Sequence, residues 1–188
     1  ILRAVCISFM IVVPFSRMYV GVHTPADVLV GSGMALVMIF AFRPLMLKGN
    51  KNHIQATFTG LLILSIFYLL YVELYAFPAD VDVHNYESAL KNAYTFIGCF
   101  AGVIIVFLVD EDKLHFDTKA VWWAQILKVV LGLGLTVALR AILKVPLNAL
   151  FNGHNAANLL RYFMMVFFAA TIWPLTFHWF EKLGDNRK

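Results

Sequence analysis

Ser16-Arg17-Met18-Tyr19-Val20-Gly21-Val22-His23-Thr24-Pro25-Ala26-Asp27 sets a fixed cation, an imidazole and a carboxylate between two apolar runs. Before it, Ile1 to Phe15 carries one charge, Arg3. After it, Ala26 to Phe42 carries only Asp27. A helix of about 20 apolar residues crosses the hydrocarbon of a bilayer. Charged side chains are costly there, so a polar break between two such runs marks the boundary of two membrane-crossing helices. Three such side chains at one boundary also need a chemical reason.

Working outward, the whole chain repeats this texture. It has 188 residues, of which 61% are hydrophobic and 14% charged, with a mean hydropathy of +0.78. Soluble domains carry about 25% charge. This much apolar surface cannot be hidden in one soluble core, so the expected fold is all-α: a polytopic transmembrane helical bundle of about six spans. The runs are Ile1–Phe15, Ala26–Phe42, Ala56–Phe77, Ala93–Val109, Ala120–Leu143 and Leu159–Phe180. A net charge of +4, scattered along the chain, points away from nucleic acid. Cys6 and Cys99 both sit in apolar runs and read as free, buried small hydrophobes.

Lys and Arg bias sets the orientation. Arg3, Arg43, Lys48, Lys51, Lys113, Lys119, Lys182, Arg187 and Lys188 flank one set of span ends, and Arg17, Lys91 and Lys144 the other. The first set belongs in the cytoplasm, which puts His23 on the outer face.

The second span has a legible start. Thr24 suits the N-cap, Pro25 the first helical position, and Asp27 the third. His23 and Asp27 are then expected as an i,i+4 pair on one helix face. A carboxylate that accepts from one ring nitrogen fixes the tautomer and leaves the other nitrogen free to attack. Arg17, across a turn containing Gly21, can bind two phosphate oxygens, and a helix N-terminus adds backbone donors for an anion. Together these suit phosphoryl transfer with His23 as nucleophile. Each residue also has an ordinary role. Asp27 can be half of a capping box, His23 an interfacial histidine and Arg17 a headgroup anchor. Capping and orienting do not exclude each other.

The pattern S-R-x5-H-x3-D, with the tail His23-Thr24-Pro25-Ala26-Asp27-Val28, resembles the third signature motif of the type 2 phosphatidic acid phosphatase superfamily, in its bacterial membrane branch. The resemblance implies that Arg17 holds phosphate oxygens, His23 attacks phosphorus to form a phosphohistidine, and Asp27 hydrogen-bonds His23. Ser16, beside Arg17 in the motif, would join it in binding the substrate phosphate. It implies an outward-facing site in the bacterial cytoplasmic membrane, a lipid phosphate substrate among membrane lipids, no cofactor and no metal. The six histidines (His23, His53, His84, His115, His154 and His178) are dispersed and lack ligand spacing. The superfamily's Lys…Arg-Pro and Pro-Ser-Gly-His elements, the second holding the acid for the leaving alcohol, do not occur in these residues. The chain opens at Ile1 inside an apolar run, so we expect a fragment. Residues 1–52 would be the C-terminal part of a catalytic core and 53–188 an additional transmembrane region. Arg43-Pro44 falls after the third motif on the cytoplasmic side, and His154 reads as a loop histidine.

The expected function is a lipid phosphate or diphosphate phosphatase, of phosphatidic acid, phosphatidylglycerol phosphate or undecaprenyl diphosphate type. A lipid phosphotransferase is the related alternative, and a non-catalytic scaffold or transporter the unrelated one. Gly31, Ser32, Gly33 and Ala35 in the second span, Gly98 and Gly102 in the fourth, and Gly132 and Gly134 in the fifth look like close-packing positions. Lys128, Arg140 and Arg161 are expected to reach an interface, and Glu73 to partner a cation or headgroup. The tryptophans and tyrosines read as an aromatic belt.

Overall fold

Backbone N–H and C=O groups inside hydrocarbon must pair within the chain, and the helix is the local way to do so. The computed structural model describes residues 2–21, 23–48, 50–78, 80–113 and 121–180. Among them every regular element is helical: α1 (Leu2–Tyr19), α2 (Pro25–Lys48), α3 (Lys51–Leu74), α4 (Val83–Lys113), α5 (Trp122–Leu150) and α6 (Ala156–Phe167). α6 runs on through a π-helical segment, Phe168–Ile172, and a last turn, Trp173–Leu175. Pro174 lies just after the π segment. Its missing N–H and its ring's clash with the carbonyl four residues back favour a widened turn there.

Among the described residues, five helices are long and apolar enough to cross a membrane: Pro25–Leu45, Lys51–Leu74, Val83–Val109, Trp122–Leu150 and Ala156–Leu175. Ala4–Tyr19 is a shorter apolar helix. The expected all-α polytopic bundle is therefore observed, as five full spans and one short one. The helices overrun the apolar runs. α4 starts at Val83, ten residues before the run Ala93–Val109, because Asp82 caps it: its Oδ1 accepts the His84 N–H at 2.8 Å. Glu87 and Lys91 are thus helical rather than in a loop.

The chain forms two compact units, Ile1–Ile54 and Gln55–Lys188, divided in the first turn of α3. In the first unit, α1 and α2 flank an open apolar groove of 610 Å³ whose lining includes Ile7, Met10, Pro14, Ser32, Ala35 and Ile39. Within this unit, Gly31 and Gly33 are not close contacts between α1 and α2. A Cβ on either would meet nothing within 4 Å.

In the second unit, α6 packs against both α4 and α5. Lipid tails are as apolar as the helices, so close van der Waals contact through small residues must hold them together. Gly98 lets the α4 backbone rest on the Leu159 carbonyl of α6. A Cβ at Gly102 would lie 3.0 Å from Val166 Cβ. A Cβ at Gly132 would lie 2.5 Å from Trp173 Nε1, whereas at Gly134 it would meet nothing within 4 Å. Gly134 is therefore not the packing position that its sequence suggests. Lys128 and Arg161 also depart from expectation. They are buried within this unit, at 3% and 5% exposure, rather than extended to an interface. The Lys128 ammonium lies 4.6 Å from the centroid of the Phe177 ring.

Candidate active site

The polar break between α1 and α2 is tighter than its sequence implies. α1 continues to Tyr19, so Ser16 and Arg17 lie in its last turn rather than in a loop. The chain then reverses through Gly21, whose φ of +74° is a conformation that costs a side chain but not glycine. The Gly21 N–H donates to the Met18 carbonyl at 3.0 Å.

α2 begins at Pro25, with Thr24 as its N-cap. Thr24 and Asp27 bond reciprocally. The Asp27 N–H donates to Thr24 Oγ1 at 3.2 Å. Asp27 Oδ2 accepts both the Thr24 N–H at 2.9 Å and the Thr24 hydroxyl at 2.8 Å. This is a capping box closed by aspartate. His23 lies in a bend one residue before the cap, so it is not on the α2 helix face expected for it. No hydrogen bond joins it to Asp27. The carboxylate is committed to Thr24 through Oδ2, and Oδ1 stays outside the box.

Arg17, His23 and Asp27 nonetheless line one open cavity of 290 Å³, with Val13, Pro14 and Ser32 among its walls. All three are exposed. Ser16 is not part of that lining. Its Oγ donates to the Val13 carbonyl at 2.7 Å, which supports the last turn of α1. Gly31 and Ser32 do line the cavity, and their roles there were not anticipated. The available signal was spacing: Gly31 falls four residues after Asp27, on the same face of α2. A guanidinium, an imidazole and a carboxylate around one cavity can hold an anion, attack it and orient the attacking group. Among the described residues, no three His, Cys, Asp or Glu side chains gather as a metal site.

Residues 1–51 match the PAP2 superfamily, and residues 94–186 match its phosphatase transmembrane extension. The chain belongs to the PAP2 superfamily. It is an integral membrane protein of a phosphatase family. Arg17, His23 and Asp27 fall within the PAP2 match, and the α4–α6 packing within the extension. Comparison with curated proteins gave no match, and comparison with solved structures gave none.

The capping box makes one prediction. Asparagine at this third helical position keeps an oxygen for the Thr24 N–H and hydroxyl and loses only the negative charge at the helix N-terminus, so Asp27→Asn should cost about 1 kcal/mol or less. If Asp27 also orients His23, turnover should fall roughly a hundredfold or more. Melting temperature and initial rate, measured on the same preparation, separate the two roles. A large stability loss with a proportionate loss of activity would leave capping as the only role.

Proposed function

We propose that this chain carries the phosphate-handling part of a membrane lipid phosphatase working through a phosphohistidine. The observation that carries the proposal is the shared cavity of Arg17, His23 and Asp27 at the α1–α2 junction. Arg17 binds two oxygens of the phosphate through its planar fork. A ring nitrogen of His23 attacks phosphorus, forming a P–N bond as the P–O bond to the leaving group breaks; the leaving oxygen keeps the electron pair and takes a proton from solvent water. Asp27 Oδ1 stabilises the positive charge that develops on the imidazole. Water then attacks the phosphohistidine, which releases inorganic phosphate and regenerates the imidazole.

The substrate class is a lipid phosphate or diphosphate monoester, such as phosphatidic acid, phosphatidylglycerol phosphate or undecaprenyl diphosphate. A lipid fits because α1 and α2 bound the site and leave an open apolar groove between them. In this proposal residues 1–52 are the catalytic portion, and the site faces outward from a bacterial cytoplasmic membrane. The Lys and Arg distribution supports that orientation.

The test is phosphoenzyme trapping in the membrane-embedded protein with phosphate-labelled lipid, followed by mapping the modified peptide. Label is expected on His23, and in heavy-oxygen water the released phosphate should carry solvent oxygen. Label on another residue, or turnover without any phosphoenzyme, would overturn the assignment. Loss of label to an added alcohol rather than to water would make the enzyme a phosphotransferase.

A further inference from the structure

Arg161 lies in the second turn of α6, inside a candidate membrane span, and is 5% exposed. Its Nη2 donates to Asn158 Oδ1, while its Nε is buried without a hydrogen-bond partner. Asn158 is itself 7% exposed and donates through Nδ2 to Asn155 Oδ1 at 3.2 Å. The Arg161 guanidinium lies 5.6 Å from the centroid of the Tyr162 ring. Arg140, reaching across from α5, lies 5.9 Å from the same centroid. Two permanent cations therefore gather on one aromatic ring. Among the described residues no carboxylate pairs with either, and Glu73, at the end of α3, accepts the Tyr94 hydroxyl at 2.7 Å.

An arginine cannot escape burial by losing its proton. An unpaired buried cation is among the most unfavourable groups a fold can carry. Contact with the Tyr162 ring relieves part of that cost, and a second cation on the same ring adds to it. Both effects call for an anion. Arg140 is exposed on α5, so the pair has one accessible and one buried member. Arg161 lies about 8 Å along α6 from its start and Arg140 about 15 Å from the end of α5 at ordinary helical rise. From that depth the exposed Arg140 side chain can reach towards the headgroup region.

We propose that Arg161 and Arg140, gathered on Tyr162, bind a phosphate group, with Asn158 holding Arg161 in place. A tetrahedral phosphate presents enough oxygens to serve two guanidiniums at once, and one planar fork can bind it through two parallel bonds. The site lies in the transmembrane extension and shares no residue with the Arg17–His23–Asp27 cavity. Its occupant is the phosphate of an anionic lipid headgroup or free phosphate.

Thermal unfolding of the full chain in a phosphate-free maltoside detergent tests this, with phosphatidylglycerol and inorganic phosphate as separate additions. Native mass spectrometry counts the lipid retained. The wild type is expected to melt several degrees higher with phosphatidylglycerol. Arg161→Met should raise the half-saturating lipid concentration about tenfold, the loss expected from one charge-assisted pair. Stabilisation by the lipid alone identifies a headgroup site, and stabilisation by inorganic phosphate alone identifies a soluble anion. Either supports the proposal. No stabilisation of the wild type by either addition overturns it, as does an unchanged response in both Arg161→Met and Arg140→Met. Arg140 is exposed, so its variant keeps the test decisive if Arg161→Met does not fold.

Discussion

His23→Ala should abolish turnover and phosphoenzyme formation while leaving the fold as it is. The expected loss is roughly 10⁴-fold or more in kcat, as when one member of a cooperative catalytic set is removed. That corresponds to about 5.5 kcal/mol of transition-state stabilisation at 1.36 kcal/mol per tenfold. The structural cost should be small. His23 sits in the bend before α2, is exposed, and makes no hydrogen bond among the described residues. Surface substitutions of that kind stay within about 0.5 kcal/mol. The α2 cap does not depend on the imidazole, because it is closed by Thr24 and Asp27 alone. Rate and melting temperature should therefore part company completely. A variant that retained phosphoenzyme would remove His23 from the role of nucleophile. One that unfolded would show that the bend needs the ring for structure.

The parts of this site legible in the sequence are those whose causes are local. Thr24, Pro25 and Asp27 announce the start of α2 because a capping box closes within four residues. The number of helices follows from apolar runs, since hydrocarbon thickness fixes their length. Local reasoning placed His23 one step wrong. The i,i+4 rule holds only inside a helix, and Thr24 starts that helix after His23. The shared cavity survives the shift because Arg17, His23 and Asp27 flank a single reversal of the chain.

Tertiary causes were less legible. Lys128 and Arg161 carry charge that sequence alone sends to an interface, yet the packing of α6 on α4 and α5 buries both. Gly132 and Gly134 sit two residues apart with the same local signal. They point to different sides of α5, and only Gly132 faces Trp173. No periodicity distinguishes them without knowing which side α6 occupies.

That difference makes the second large prediction, at α4. A methyl group added at Gly98 would overlap the Leu159 carbonyl oxygen and approach its carbonyl carbon and Cα at 3.0 Å. Those atoms are α6 backbone, so no side chain can swing aside. The two helices must separate along a contact that anchors α6 in its unit. Overpacking of this kind costs about 1–3 kcal/mol. Alanine's better helix propensity returns at most about 1 kcal/mol of that. Gly98→Ala should therefore destabilise the protein by about 1–2 kcal/mol, and a larger residue there should prevent folding. Gly134→Ala is the matched control: the same chemical change, open space around it, and an expected effect between neutral and about 1 kcal/mol stabilising. Thermal or denaturant unfolding in one detergent compares them directly. Loss of a glycine's flexibility acts on both variants alike, so it cannot produce a difference between them. Only the contact with Leu159 can. Equal stability of the two variants would mean that α4 and α6 are not held backbone to backbone.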